Sequence, residues 1–109
     1  MVRFHPAPHL MKKLINEVLK VNKKFPQAMS KEGRFIDLVE EVGELANAIL
    51  VTEKHKSKKC MRAEIADSFA DILYDLIVLA DLYELDLEEE IKAMLKRLEK
   101  RIKKKEFEL

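Results

Sequence analysis

The sequence predicts an all-α protein: a single domain over residues 1–109, built as a four-helix, mostly antiparallel bundle. Its 109 residues correspond to one domain. Only 2 glycines and 3 prolines are present, too few for the turns of a β-sandwich or β-barrel. Hydrophobic residues make up 48% and charged residues 38%, so little of the chain remains for loops. Amphipathic helices are the economical way to arrange such a composition.

The first helix is predicted at about 9–24, after an irregular arm at 1–8 that contains two prolines. Its apolar residues recur with helical spacing: Leu10, Leu14, Ile15, Val18, Leu19 and Val21. Phe25 precedes Pro26, and proline disfavours the helical region for the residue before it. We therefore expect the helix to end there.

The second helix is predicted at about 31–52, with the hydroxyl of Ser30 as its N-terminal cap. One broad apolar face runs along it: Phe35, Leu38, Val39, Val42, Leu45, Ala46, Ile49 and Leu50. The charged stretch TEKHKSKK at 52–59 then interrupts this pattern, which predicts a mobile loop.

The third helix is predicted at about 60–83 and the fourth at about 87–105. The third is apolar on nearly all sides from Ile72 to Leu82, as is typical of a central helix that neighbours cover. Asp86 and Glu89 have the spacing of a capping box at the start of the fourth. A chain of this size buries only about 60 to 68% of its unfolded surface, so we expect wide apolar faces to form a homodimer or homotetramer.

Charge and hydropathy exclude several classes of partner. The net charge is +1, so no overall field attracts polymeric nucleic acid or an anionic membrane. The longest apolar run, at 72–80, is about half a membrane span and contains Asp75. One cysteine and an N-terminus without the apolar core of a signal peptide favour the cytoplasm.

Carboxylates on the two central helices are the informative feature. Glu41 and Glu44 share one face of the second helix, and Glu40 is a helical neighbour of Glu44. A stripe on the third helix has spacings of 3, 4 and 4, and consists of Glu64, Asp67, Asp71 and Asp75. Buried like charges need a cation, basic side chains or protonation to offset them. Mg²⁺, or alternatively Mn²⁺, suits carboxylate oxygens. The alternative to a metal site is that the acids of the second helix are exposed to solvent and those of the third helix pair with lysines.

Two segments, LVEEVGELANAIL (38–50) and AEIADSFADILYDLIVLADLYELDLEEEI (63–91), resemble the MazG-like all-α nucleoside triphosphate pyrophosphohydrolases. The family pattern is an E-E-x-x-E helix, a variable loop, an E-x-x-D helix and a D-L-E-E turn. The resemblance implies that Glu41 and Glu44 are magnesium ligands. Counting back from Asp86 places the family aspartate on Asp71.

One motif position departs from the family. Ser68 stands where the resemblance implies a glutamate. Either Asp67 replaces it beside Asp71, with Glu64 as an outer ligand, or the motif is Glu64 with Asp67. We favour Asp67 with Asp71. Met94 and Leu98 are apolar where the family tends to carry Lys and Asn.

The activity implied by the resemblance is hydrolysis of a nucleoside triphosphate between its α and β phosphates, in a house-cleaning role. Two or more magnesium ions held by carboxylates can neutralise phosphate charge and lower the pKa of a bound water, which Glu40 can deprotonate as general base. Arg101 and Lys59 are the candidate substrate-binding cations. The alternative is a catalytically weakened MazG-like module that binds a nucleotide or a partner protein.

Overall fold

The computed structural model describes residues 10–55 and 58–104, with side chains at 10–50 and 62–104. The described residues form helices and turns and contain no strand, which confirms the all-α prediction. The helices are α1 (Leu10–Asn22), α2 (Lys31–His55), α3 (Lys58–Leu82) and α4 (Leu87–Lys103). None of the helices described here has the length and apolar character needed to cross a membrane.

Helices α2 and α3 pack along each other as an antiparallel hairpin. Arg34, near the start of α2, contacts Asp75, whereas Glu41 lies further along α2 and interacts with Asp71, which comes earlier on α3. The buried hydrophobic residues are Ala48 on α2 and Ile77 and Val78 on α3. Helix α1 packs on α3 as well, so α3 is the central helix, as predicted.

The local start signals act as predicted. The Gly33 backbone N–H donates a hydrogen bond of 3.0 Å to Ser30 Oγ, which caps α2. At α4, the Glu89 N–H donates to Asp86 Oδ1 over 3.2 Å, and Asp86 is the N-cap. Both contacts lie within four residues, which explains why the sequence is sufficient to place them.

The predicted loop at 52–59 is wrong for most of its length. Helix α2 continues to His55 and α3 begins at Lys58, with 56–57 outside the described residues. Lysine and glutamate are good helix formers, so the loss of an apolar face ends the buried stripe without ending the helix. The predicted N-terminal arm at 1–8 and the side chain of Lys59 lie outside the described residues.

Among the described residues of α4, the buried and half-buried side chains lie at its beginning. Glu88 is buried and its Oε2 lies 3.6 Å from Lys12 Nζ, while Leu87 and Ile91 are half-buried. Every described residue of α4 after Ile91 is exposed. This exposed part includes the predicted apolar stripe, with Met94, Leu95, Leu98 and Ile102.

The α2–α3 hairpin also has exposed apolar residues. Leu73 and Leu76 of α3 are exposed, so the single chain does not cover this helix on most sides as its sequence predicted. The accessible surface is 9471 Å², against about 6,300 Å² for a compact monomer of this mass. The radius of gyration is 17.4 Å, against about 13 Å for a compact domain of this length.

Candidate functional site

Five acidic side chains from the α2–α3 hairpin form one group, the acidic cluster: Asp37, Glu41 and Glu44 from α2, and Asp71 and Asp75 from α3. The α2 members are four and three residues apart, and the α3 members are four apart. These spacings place each set on one face of its helix. The antiparallel packing of the hairpin brings the two faces together.

Burial and the other acids of the cluster shift the pKa of the Glu41 carboxyl. Its Oε2 atom is buried and has no hydrogen-bond partner among the described residues. Burial, followed by the charges of Glu44, Asp71, Asp37 and Asp75, raises the pKa of Glu41 from 4.5 to about 7. At neutral pH this carboxyl is therefore poised between its neutral and charged forms, and a nearby cation would favour the charged form.

Asp75 is the most buried acid of the cluster, with 2% of its surface exposed. Arg34 Nη1 donates a hydrogen bond of 2.8 Å to its Oδ1, and Asp37 lies within hydrogen-bonding reach on another side. Burial raises the pKa of Asp75 and Asp37 raises it further, while the Arg34 guanidinium acts in the opposite direction. Asp75 Oδ2 has no hydrogen-bond partner within the described chain.

Arg34 also connects the hairpin to α1. Its Nη2 donates to Asn22 Oδ1 over 3.4 Å, and the Tyr74 hydroxyl donates to the same oxygen over 2.8 Å. The Tyr74 ring lies 5.8 Å from Arg34 Cζ. Three helices therefore meet at one guanidinium, whose Nε is buried without a described partner.

A cavity of about 400 Å³ opens beside this junction. Arg34, Asp71 and Tyr74 line its polar side. The other lining residues come from the end of α1 and the turn that follows it: Val21, Asn22, Phe25, Gln27, Ala28 and Met29. Its volume is within the range of small-molecule sites, and it combines apolar walls with a few polar groups.

The cluster matches a hard divalent cation in its donor chemistry. Glu41, Glu44 and Asp71 supply carboxylate oxygens, and the buried, unpartnered Glu41 Oε2 is an atom that such a cation would satisfy. Within the part of the chain that the structure describes, no three acidic, histidine or cysteine side chains stand together as a finished metal site. The donor atoms therefore suit a divalent cation, but in the described part of the free chain they are not yet arranged to coordinate one.

The predicted site residues fall into two groups. Glu44 and Asp71 are among the charges that raise the Glu41 pKa, whereas Glu40 and Asp67 are not. Glu41 is half-buried, and the other four side chains are exposed. Glu64 and Arg101 each have a polar interaction of their own, while Arg101 lies on the exposed end of α4. The assignment of all these residues, and of Lys59, stays a prediction.

Three polar residues of the junction are missing from the predicted site: Arg34, Asp37 and Asp75. A sequence signal exists for the first two, because they precede Glu41 by seven and four residues and so share its helical face. Asp75 is recognisable in the sequence only as the last member of the acidic stripe. Phe25 and Phe35 are 62% and 56% exposed, so neither is a core residue of the single chain.

Fold and site together define a class: an all-α protein whose central helix pair carries an acidic cluster beside a cavity of small-molecule size. The family model of the MazG nucleotide pyrophosphohydrolase domain matches residues 30–105, which include the whole cluster. The chain belongs to this family.

A curated relative supports the same grouping. Over 72 residues the chain is 33% identical to the uncharacterized protein YvdC of Bacillus subtilis (strain 168). The match covers 59% of this chain and 68% of YvdC. The family accounts for the implied reaction class, a hydrolase acting on nucleoside triphosphates, at the level of the domain.

Proposed function

We propose that this protein is a Mg²⁺-dependent pyrophosphohydrolase that cleaves a nucleoside triphosphate between its α and β phosphates, giving the monophosphate and pyrophosphate. The observation that carries the proposal is the Glu41 carboxyl, whose Oε2 atom is buried and unpartnered within the described chain, beside four other acids of a MazG domain. Such a group is costly for a protein that never binds a cation. A house-cleaning role on surplus or abnormal nucleotides follows from this reaction.

Glu41, Glu44 and Asp71 would hold Mg²⁺, with Mn²⁺ as a substitute, and Glu64 and Asp67 are the outer candidates. The bound ion supplies charge neutralisation on the phosphates and a lowered pKa for its water. Exposed Glu40 follows directly before Glu41 and is the proposed general base. Since no cage is preformed among the described residues of the free chain, we expect these side chains to settle when the cation and the substrate bind.

The cavity beside Asp71 provides room for the nucleoside. Its walls offer the exposed ring of Phe25 for stacking and the amides of Asn22 and Gln27 for hydrogen bonds. The triphosphate would then extend from this cavity towards the acidic cluster, because Asp71 belongs to both. Lys59 and Arg101 remain the proposed phosphate-binding cations.

The apolar stripe of α4 supports a homo-oligomer, a dimer or a tetramer. A helix whose apolar stripe is exposed after Ile91 gains little stability from packing within the chain. The surface in excess of a compact monomer is about 3,000 Å² per chain, well above the roughly 800 Å² that each partner buries in an interface of standard size. A second copy, which carries the same stripe, would cover it.

A second function has its own support. Ser68 is buried at the position where the resemblance implies a ligand glutamate, and Met94 is apolar where the family tends to carry a polar residue. A MazG-like bundle with these changes can bind a nucleotide or a partner without turning it over. This binding module predicts that nucleotides raise the melting temperature and release no pyrophosphate.

The test is incubation of the full chain with Mg²⁺ and a panel of canonical and modified nucleoside triphosphates, with pyrophosphate and phosphate measured separately. We expect pyrophosphate release from at least one nucleotide and a loss of about 100-fold or more in Asp71→Asn. Asp81→Asn is the matched control on the same helix, and we expect little loss because Asp81 lies outside the acidic cluster. Absence of pyrophosphate across the panel, with melting raised by a nucleotide, would favour the binding module.

A further inference from the structure

The acidic cluster already contains one positive charge of its own. Arg34 is largely buried, with 12% of its side chain exposed, and its Nη1 lies 2.8 Å from Asp75 Oδ1. Asp37, three residues after Arg34 on the same helix, faces Asp75 within hydrogen-bonding reach. One guanidinium and two carboxyl groups therefore form a subgroup at one end of the cluster.

The remaining acids have no such partner. The described charges that act on Glu41 are all negative, from Glu44, Asp71, Asp37 and Asp75. The cluster is thus divided between an end that a fixed arginine compensates and an end that lacks a cation among the described residues.

We propose that Arg34 acts as a permanent internal cation at the Asp37–Asp75 end, so that the exchangeable divalent cation is confined to Glu41, Glu44 and Asp71 and binds as a single ion. This inference rests on the cation site of the proposed function. Arg34 is a positioning residue in this scheme, because it contacts Asp75 and not the ion.

Two physical reasons limit the site to one ion. Three carboxylates suffice for Mg²⁺, which commonly takes one or two from the protein and keeps several waters. Within the acidic cluster, a second divalent ion would need Asp75 or Asp37, beside a guanidinium that cannot lose its proton and would repel it in a poorly solvated position. Asn22 and Tyr74 hold the guanidinium from the α1 side and limit its movement away.

The charge of Arg34 should therefore control the number of ions. Arg34→Gln keeps a hydrogen-bonding side chain but leaves Asp75 and Asp37 uncompensated, and a second divalent cation can then replace the lost charge. Arg34→Lys is the matched control, since it keeps the positive charge at the same position.

The experiment is titration of the full chain with Mn²⁺ in the absence of nucleotide, with free Mn²⁺ measured by electron paramagnetic resonance. We expect one ion per chain in the wild type and in Arg34→Lys, and two in Arg34→Gln. Circular dichroism establishes that each variant is folded.

Other counts overturn the inference. Two ions in the wild type, or one in folded Arg34→Gln, would remove it and leave the proposed reaction standing if pyrophosphate is still released. No bound Mn²⁺ in the wild type would remove the cation site of the proposed function together with it.

A second variant decides the matter if Arg34→Gln does not fold. Asp37→Asn retains Arg34 and Asp75, and we expect one bound ion with an affinity within about threefold of the wild type. Loss of Mn²⁺ binding in this variant would make Asp37 a ligand and would overturn the proposal.

Discussion

The α2–α3 hairpin and α4 differ in what covers their apolar faces. Helix α4 has the cleaner separation of apolar and charged sides, yet its apolar stripe is exposed beyond Ile91. Helices α2 and α3 have weaker separation, and their interface buries charged groups as well as apolar ones. An amphipathic pattern therefore indicates that an apolar face will pack against something. It does not specify which helix or chain packs there.

The contrast also separates function from assembly. The hairpin carries the acidic cluster and part of the lining of the cavity, whose other residues come from the end of α1 and the turn that follows it. The far end of α4 carries the exposed stripe that we propose a second copy covers. Variants in the two regions should consequently change different measurements.

The largest change in stability is expected at the buried ion pair between Arg34 and Asp75. Removal of one partner, as in Arg34→Gln, leaves Asp75 uncompensated and should lower the free energy of unfolding by about 3 to 5 kcal/mol. Urea denaturation followed by circular dichroism measures this change. The control in α4 is Lys92→Gln, which breaks the exposed 3.8 Å pair with Glu89 and should cost under about 1 kcal/mol. Equal losses at both positions would contradict the division between the regions.

The α4 stripe is expected to give the next largest effect. Leu98→Glu places a charge on the face that a second copy would cover. Burial of one leucine contributes about 1.5 to 3 kcal/mol, and a two-fold interface counts it twice, so we expect dimer affinity to fall by about 100-fold or more. Light scattering coupled to size-exclusion chromatography measures the change. Lys96→Glu, on the opposite side of α4, should leave the oligomer intact, and a wild-type monomer would refute the proposed assembly.

The acidic cluster should make stability depend on pH when no divalent cation is present. The pKa of Glu41 is about 7 in the folded chain, against 4.5 for an ordinary glutamate, so the folded chain holds this proton more tightly than the unfolded chain does. This contribution is present below pH 4.5 and is lost as the pH rises to about 7. After allowance for solvent screening we expect about 1 to 2 kcal/mol.

Glu41→Gln is the control for this pH dependence, because glutamine does not titrate. Melting temperatures of wild type and variant, measured in chelator across a pH range from about 4.5 to 7.5, should diverge as the pH rises. Parallel curves would show that Glu41 does not carry the effect.

The smallest effect is expected in the turn that joins the two regions. Glu84 has a φ of 57°, a left-handed conformation that costs a side-chain-bearing residue about 1 to 2 kcal/mol. Glycine relieves this strain but gains freedom in the unfolded chain, so Glu84→Gly should stabilise by about 0.5 to 1 kcal/mol. The melting temperature should rise by a few degrees. Glu84→Ala retains the strain and serves as the control.

Much of the fold could be predicted from the sequence. The four helices follow from apolar spacing and from the paucity of glycine and proline, and Ser30 and Asp86 cap α2 and α4 through contacts three residues away. The predicted loop at 52–59 fails because the loss of an apolar face does not by itself end a helix. Glu41, Glu44 and Asp71 could be predicted to share one site because motif spacing is a property of the chain alone, and their role as ligands stays a prediction.

The sequence by itself determined the helices, their caps and the acidic faces, because each depends on interactions within about one helical turn. Only the tertiary structure decided that Arg34 meets Asp75 and that Asn22 joins them, residues 41 and 12 positions away from Arg34. Such pairs depend on the register in which helices meet, and a shift by one turn would exchange every partner. The tertiary structure also left the far end of α4 uncovered, because nothing within a helix specifies which surface will pack against it.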